Sequence, residues 1–416
     1  MKIEFIIIEI YKNMIYYDEA QEIIENEFKN IILETEEVSL LESRNRVLAE
    51  DIISDIDQPA FDNSAMDGIA IKYNPDITQW KLIGEIAAGN YKEYEIDENT
   101  CVRIMTGGKI PPSADTVVPL EDFIEKKSKV VKIPCAKIKL GQNCRYQGES
   151  MAVDQVAIAK NSVIQPGNIA LIAGCGRDKF QVYKKLKIGV LATGDELTEV
   201  NVMPTEGKIR ATNMYALLSE IENMNHTPVS YGFLGDDKKI LSDKIEEIIN
   251  SDIDILLTSG GVSVGKYDYL KSILEEKGLD TKFWRVYIKP GKPLLFGIIV
   301  RNGKKKYIFG LPGNPVSSYV TFLIFVKANI ERLFSRSESE VVTAELITDL
   351  KKRDSKRHFS VGILSYDSEN EKYIVEKSGT NSSGNMLSLS DANCLMLIDE
   401  ETKNPKTGDK IKCIRI

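Results

Sequence analysis

The sequence predicts a multidomain α+β protein organised around a central, doubly wound α/β domain. The chain has 416 residues, more than the roughly 100 to 200 of a usual domain. Strand-like and helix-like stretches alternate regularly after Tyr183, and short runs typical of small β domains lie before and after that region. We therefore expect an inserted small β domain before the α/β domain and a β barrel or sandwich at the C-terminal end.

Composition excludes several classes of protein. The formal net charge of −8 argues against a general nucleic-acid binder, which needs a basic face. The six cysteines show no C-x-x-C spacing and there are two histidines, so a zinc site or a histidine-based triad is disfavoured. The apolar run 1–10 contains Glu4 and Glu9 and is too short to span a bilayer. We interpret it as an amphipathic extension, or Met14 as the true start, and expect a cytoplasmic protein without membrane partners.

The first 182 residues predict helical segments around an inserted β region. Apolar positions three or four apart predict a helix over 18–30, and a second short helix is expected over about 40–50. Short strands with turn residues follow from Ile69 to about 133, and 141–182 returns to helix-prone sequence. Within the β region, Asp67 could be a turn residue and Thr106 part of a hairpin, which are the preferred interpretations from composition alone.

The α/β region predicts a crevice at one edge of its sheet. Runs at 187–192, 229–234 and 254–258 predict strands, and 213–225 and 240–250 predict helices. The second helix is expected to place on one side Ile240, Leu241, Ile245, Ile248 and Ile249. Such alternation implies a mainly parallel sheet, whose ligands bind beyond the carboxyl ends of the strands. The loops that follow the first and third strands should then face one crevice with Glu196 and Asp268.

The loop 259–268 combines glycines and hydroxyl side chains between a strand and a helix. Glycine permits close backbone approach, and N–H groups at a turn or a helix start can hold an oxyanion. The alternative is a tight connection without a ligand. Asp268 favours a site, because a carboxylate beside a phosphate would repel it unless a divalent cation or a proton lies between them.

Lys289 and Lys292 lie in a stiff Pro-Gly-Pro loop, where they could fix an oxyanion, although a lysine pair is often solvated surface. Pro315 is expected near the start of a long apolar helix, with Ser317 and Ser318 as further donors. After a charged linker, runs at 341–347, 359–366, 373–377, 394–398 and 410–416 predict the barrel or sandwich. The polar loop 378–386 is interpreted as a disordered turn or a lid.

Taken together and in order, these motifs resemble the molybdopterin molybdenumtransferase (MoeA) family, which includes the carboxyl-terminal domain of gephyrin. The resembling blocks include DNSAMDG at 62–68, TGDEL at 193–197, SGGVSVG at 259–265, KPGKP at 289–293 and LPGNPVS at 311–317. The resemblance implies a homodimer of four-domain protomers. Its domains would be a discontinuous, elongated dimerisation domain (14–52 and 139–182), an inserted β-rich domain (53–138), an α/β molybdopterin-binding domain (183–334) and a C-terminal β barrel (338–416).

The resemblance also implies an activity. Family members take adenylylated molybdopterin and molybdate as substrates, cleave the adenylyl phosphate bond with a divalent cation such as Mg²⁺, and release molybdenum cofactor and AMP. The implied catalytic positions are Asp67, Thr106, Glu196, Asp236 and Asp268, with Glu196 and Asp268 as metal ligands. The implied substrate-binding positions are Ser259, Gly260, Gly261, Ser263, Gly265, Lys289, Lys292, Pro312, Asn314, Ser317, Arg357 and Ser383.

Two departures and several alternatives accompany this resemblance. Ser150 stands where the family usually has Asp, and Val361 where it usually has a second Arg, which bears on molybdate affinity. Asp67 and Thr106 belong to another domain, so we expect them to reach the cleft across domains or from the second subunit. A tungstate-specific enzyme, a molybdopterin adenylyltransferase and a non-catalytic scaffold are the alternatives. A separate adenylyltransferase is the protein partner that the resemblance suggests.

Overall fold

The computed structural model describes residues 14–127, 129–134, 137–261, 269–335, 340–379 and 385–416. They form two compact units. The α/β–barrel unit comprises the chain up to Thr35 and Tyr183–Ile416, and the N-terminal β unit comprises Glu36–Val182. Helix α1 (Tyr17–Phe28) is the first helix of the described residues, and it confirms the helix predicted over 18–30.

The N-terminal β unit contains a six-stranded sheet. Its elements are β1 (Thr35–Ser39), β2 (Ile52–Ile53), β3 (Asn63–Ser64), β4 (Gly68–Ile71), β5 (Gln79–Ile86), β6 (Thr100–Ile104), β7 (Thr116–Pro119), β8 (Glu125–Lys127), β9 (Val130–Lys132), β10 (Cys144–Arg145), β11 (Val156–Ile158), α2 (Pro166–Gly174) and β12 (Lys179–Tyr183). The sheet has the order β7-β4-β6-β5-β9-β8, which confirms the predicted inserted β region.

The helix predicted over 40–50 is wrong. Only a single 3-10 turn, Leu41–Ser43, forms there. Arg44, with a ψ of 132°, ends this turn, and Asn45, with a φ of 61°, also lies outside the right-handed helical region. Val47 and Leu48 then form extended β-bridges, so their burial comes from sheet-like pairing rather than from a helix face.

The α/β domain is built on a second six-stranded sheet. Its elements are β13 (Lys187–Thr193), β14 (Leu197–Thr198), β15 (Ile209–Arg210), α3 (Thr212–Asn223), β16 (Thr227–Leu234), α4 (Lys238–Asn250), β17 (Ile255–Ser259), α5 (Leu270–Glu276), β18 (Asp280–Trp284), β19 (Ile288–Lys289), β20 (Leu295–Arg301), β21 (Lys304–Leu311), α6 (Pro315–Thr321), a π-helical segment (Phe322–Lys327) and α7 (Ala328–Leu333). The order is β16-β13-β17-β21-β20-β18, with the first four strands parallel and the hairpin strands β20 and β18 antiparallel to their neighbours. The predicted doubly wound, mainly parallel sheet is therefore confirmed.

The spacing of apolar residues in helix α4 determines which of its faces packs against the sheet. It buries Leu241, Ile245, Ile248 and Ile249 against the sheet and α5. Full burial of such a side chain contributes roughly 1.5–3 kcal/mol. Ile240, predicted on the same side, is 54% exposed, because it lies one residue, or about 100° of helical rotation, before the buried stripe.

The C-terminal strands close into a barrel, which resolves the choice between barrel and sandwich. The elements are β22 (Val341–Leu346), β23 (Arg357–Asp367), β24 (Lys372–Lys377), α8 (Leu387–Ser390), β25 (Cys394–Ile398) and β26 (Lys410–Arg415). The order β23-β24-β22-β26-β25 closes through pairing of β25 with β23. Strand β19 of the α/β domain joins this sheet by pairing in parallel with β23. Within the part of the chain that the structure describes, no helix is both long and apolar enough to cross a membrane.

Candidate functional site

The parallel strands of the α/β domain end at a common edge, which we call the glycine edge. It consists of the loops 193–197, 234–237, 259–261 and 311–318. Backbone hydrogen bonds join neighbouring loops: the Gly194 N–H donates to the Leu234 carbonyl (3.0 Å) and the Gly260 N–H to the Leu311 carbonyl (3.1 Å). The topology therefore brings the predicted TGDEL, SGG and LPGNPVS motifs to one place.

Close backbone approach at this edge requires glycine. Gly260 has a φ of 97°, and a Cβ there would collide with the Thr193 carbonyl oxygen. A Cβ on Gly313 would lie 3.5 Å from the Gly260 Cα. Asn213 ties the two loops together, since its Nδ2 donates to Ser259 Oγ (2.9 Å) and to the Gly313 carbonyl (2.7 Å). No motif pointed to Asn213, which lies at the start of an ordinary helix.

Several buried polar atoms of the glycine edge lack a partner among the described residues. They are the hydroxyl groups of Thr193, Thr258 and Ser318 and the Oδ1 atom of Asn314. Buried polar groups are normally hydrogen-bonded, and an unsatisfied one costs about 1–3 kcal/mol. Helix α6 also begins here, after Asn314, which makes no side-chain cap hydrogen bond. The arrangement suits a ligand rich in oxygen atoms, such as a phosphate.

Predicted acidic residues meet at the same edge. The Asp236 N–H donates to Asp195 Oδ1 (2.9 Å), which links the ends of β13 and β16. The Glu196 carboxylate folds over Gly194, where an added Cβ would lie 2.5 Å from Oε2. Glu196 and Asp236 therefore share one edge. Asp268, Ser263 and Gly265 lie outside the described residues.

The carboxylates of this edge fit the donor set that Mg²⁺ uses. Mg²⁺ is usually bound through one or two carboxylates together with substrate phosphates and water. Glu196 and Asp236 supply carboxylates on two of the loops that form this edge. The described residues include no group of three or more potential metal ligands, so substrate or further residues would complete the coordination shell.

A second site, the lysine cleft, lies between the KPGKP loop, the start of α6 and the barrel. It is a cavity of about 500 Å³. Its cationic and polar lining comprises Lys289, Lys292, Ser317, Lys351, Lys352, Lys356, His358, Ser360, Lys377 and Ser388. No Asp or Glu is found among the described residues that line it. Lys289, Lys292 and Ser317 thus face one cavity, and its lysine-rich wall suits an anion.

Burial lowers the pKa of cationic groups in this cleft. Burial lowers the pKa of Lys292, and the positive charges of Lys356 and Arg285 lower it further. Burial also lowers the pKa of His358, whose Nε2 lies 2.7 Å from Asp354 Oδ1. Lys352 stabilises the cleft wall, since its Nζ donates to the carbonyl groups of Asp354 and Glu400, both at 3.0 Å.

Arg357, which was expected to bind substrate, is not among the residues that line the lysine cleft, although its neighbours Lys356 and His358 are. Its guanidinium forms two hydrogen bonds with the Asp18 carboxylate (2.6 and 3.0 Å) and one with Glu400 (3.2 Å). Arg357 therefore ties α1 to the barrel. Ser383 lies outside the described residues.

Asp67 and Thr106 form a pair within the N-terminal β unit. The Asp67 Oδ1 atom accepts hydrogen bonds from the Thr106 N–H (2.7 Å) and Oγ1 (2.8 Å), across 39 positions of sequence. These bonds lower the pKa of Asp67 and keep it ionised. Both residues are exposed, so the pair forms a fixed, solvent-facing negative charge.

The fold and these sites define a class: multidomain proteins whose α/β domain carries a glycine-rich loop edge and is followed by a C-terminal β barrel. Family models match MoeA N-terminal region (domain I and II) over residues 15–176, a probable molybdopterin binding domain over 189–332, and MoeA C-terminal region (domain IV) over 343–416. The chain belongs to the MoeA family of molybdopterin molybdenumtransferases.

Relatives of similar length support this membership. The molybdopterin molybdenumtransferase of Haemophilus influenzae is 34% identical over 387 residues, covering 91% of this chain and 93% of that protein. The enzyme of the same name from Bacillus subtilis is 32% identical, covering 92% and 90%. The crystal structure of the molybdopterin biosynthesis protein moeA from Pyrococcus horikoshii matches with a TM-score of 0.82 and 27% identity, over 97% of this chain and all of that one.

Proposed function

We propose that this chain is a transferase of molybdenum cofactor biosynthesis that inserts molybdenum into adenylylated molybdopterin. The adenylyl phosphate bond is cleaved, AMP leaves, and molybdate is ligated to the dithiolene. The proposal rests on one observation: two adjacent serines in the first turn of α6 lie at the two different sites. Ser317 lines the lysine cleft, and Ser318 carries an unsatisfied buried hydroxyl at the glycine edge. A phosphate held at the edge would therefore lie next to an oxyanion held in the cleft.

Each group of residues has a role in this reaction. Gly260, Ser259, Asn314 and the start of α6 hold the phosphates by backbone and hydroxyl donors. Glu196, with Asp236 and Asp268, would hold Mg²⁺, which when bound supplies Lewis-acid stabilisation of charge on the leaving AMP.

In the cleft, Lys289 and Lys292 neutralise molybdate, and the stiff loop between them fixes its position. Because molybdate and tungstate are both tetrahedral dianions, charge and shape alone do not separate them.

The proposal extends to assembly. In a homodimer, Asp67 and Thr106 of one subunit or the other would complete the site. The Asp67 carboxylate, held by Thr106, would supply a preformed negative charge. The predicted four-domain boundaries belong to this proposal, with 14–52 and 139–182 as the dimerisation domain. A molybdopterin adenylyltransferase would deliver the substrate in the cytosol.

The test is AMP release by the purified protein. Adenylylated molybdopterin and Mg²⁺ are supplied with molybdate, with tungstate, or without an oxyanion, and AMP is followed over time. We expect metal-dependent release, lost in Asp268→Ala and Glu196→Gln. Absence of release by the wild type, or full activity of Asp268→Ala, would overturn the proposal. Release only with tungstate would identify the alternative oxyanion.

A further inference from the structure

We propose that Lys377 is a direct oxyanion ligand of the lysine cleft and that it sets the preference of the cleft for doubly charged tetrahedral anions. The inference rests on the proposed function, since it concerns the same oxyanion. It adds a binding residue outside the KPGKP loop, contributed by the barrel.

Position is the first argument. Lys377 is the last residue of β24 and lies opposite Gly362 in the register of β23, next to Val361. The Ser378 N–H donates to the Val361 carbonyl (3.1 Å), which fixes the end of β24 against that strand. Lys377 and Val361 line the cleft from the barrel, whereas Lys289 lines it from the α/β domain. Because β19 and β24 both pair with β23, an anion in the cavity would be contacted from both sides of that strand.

Charge is the second argument. Lys377 is half-buried, burial lowers its pKa, and the positive charge of Lys289, which lines the same cavity, lowers it further. The pKa of Lys292 is likewise lowered by burial and then by the positive charge of Lys356.

The carboxylate nearest to Lys289 is that of Asp354, at 3.8 Å, and its other oxygen is engaged by His358. Ammonium groups converging on one cavity repel each other, and a bound dianion would reverse that cost.

The composition of the wall is the third argument. Val361 is apolar and buried at a position where an arginine would bring a cation into the cleft. Lys377, on the neighbouring strand, brings a cation to the same wall. The barrel thus keeps a positive charge at this wall despite the departure at Val361.

The experiment compares anion binding by single variants of the full-length protein, measured by calorimetry. Lys377→Gln removes the charge and Lys377→Arg retains it. Lys372→Gln is the matched control, since Lys372 begins the same strand and pairs with Glu345 (2.7 Å), which Lys410 also contacts. The probes are molybdate, a tetrahedral dianion, and perrhenate, a tetrahedral monoanion. Denaturation curves show whether each variant is folded.

We expect Lys377→Gln to bind molybdate roughly tenfold more weakly, equivalent to about 1.4 kcal/mol, with a smaller loss for perrhenate. Lys377→Arg and Lys372→Gln should bind as the wild type does. Unchanged molybdate affinity in Lys377→Gln, or an equal loss for both anions, overturns the inference. If Lys289→Gln weakens molybdate binding and Lys377→Gln does not, the proposed function stands and this inference fails. If the wild type binds neither molybdate nor tungstate, both the oxyanion role of the cleft and this inference are overturned.

Discussion

The glycine of the KPGKP loop offers the sharpest test of how the lysine cleft is built. Gly291 has a φ of 93°, and an added Cβ would collide with Cγ2 of the buried Thr321. The left-handed backbone costs an alanine about 1–2 kcal/mol, and overpacking costs about 1–3 kcal/mol more. Gly291→Ala should therefore lose roughly 2–5 kcal/mol of unfolding free energy. It should also raise the KM for molybdate, because the loop that carries Lys289 and Lys292 must shift.

A matched control separates the two costs. Gly303 also has a positive φ, 76°, but nothing lies within 4 Å of its added Cβ, so Gly303→Ala should lose only the backbone cost. Adding Thr321→Ser to Gly291→Ala removes the Cγ2 atom that the new Cβ would meet. The substitution keeps the hydroxyl, which donates to the Ser317 and Ser318 carbonyls. The double variant should recover most of the overpacking cost in urea denaturation. Equal losses for Gly291→Ala and Gly303→Ala, or no recovery with Thr321→Ser, would refute the reasoning.

Three further predictions concern single side chains. Asp67→Asn should reduce AMP release at least tenfold with unchanged stability, whereas Asp97→Asn, which alters a similarly hydrogen-bonded and exposed carboxylate, should have no effect on the rate. Lys352→Met leaves two carbonyl groups without their donor and should cost about 1–3 kcal/mol in denaturant unfolding. Burial lowers the pKa of His358 in the folded protein, so on acidification the unfolded chain protonates this imidazole first. The free energy of unfolding should therefore fall as the pH drops below about 6.5. His358→Asn should reduce that fall when unfolding is measured from pH 5 to 8.

Regular periodicity made much of the fold predictable. The apolar runs that became β13, β16 and β17 and the 3.6-residue stripe of α4 each pointed to one element. The segment 40–50 was mistaken for a helix because short apolar spacing does not distinguish a helix from bridges formed with distant residues. Those distant partners, Val163 and Val182, are more than a hundred positions away and leave no local signal.

The candidate site was predictable only where a motif carried it. The loops with Glu196 and Gly260 were expected at one edge because parallel strands end together, whereas the structure adds the loop with Asn314 to that edge. The lysine wall of the barrel was not expected, since Lys356 and Lys377 lie far apart in sequence, belong to no motif and come to one cavity only in the folded barrel. The pairing of Arg357 with Asp18 left no local signal, because the two residues are 339 positions apart in the chain.

The pairing of β19 with β23 determines which parts of the molecule can work alone. Ile288 and Lys289 lie opposite Arg357 and His358, so the lysine loop is hydrogen-bonded into the sheet of the barrel. The glycine edge, in contrast, is formed by elements of the α/β domain. An isolated α/β domain would keep the edge and lose the cleft. Under the proposed function, phosphate binding would need the α/β domain alone, whereas oxyanion binding would also need the barrel.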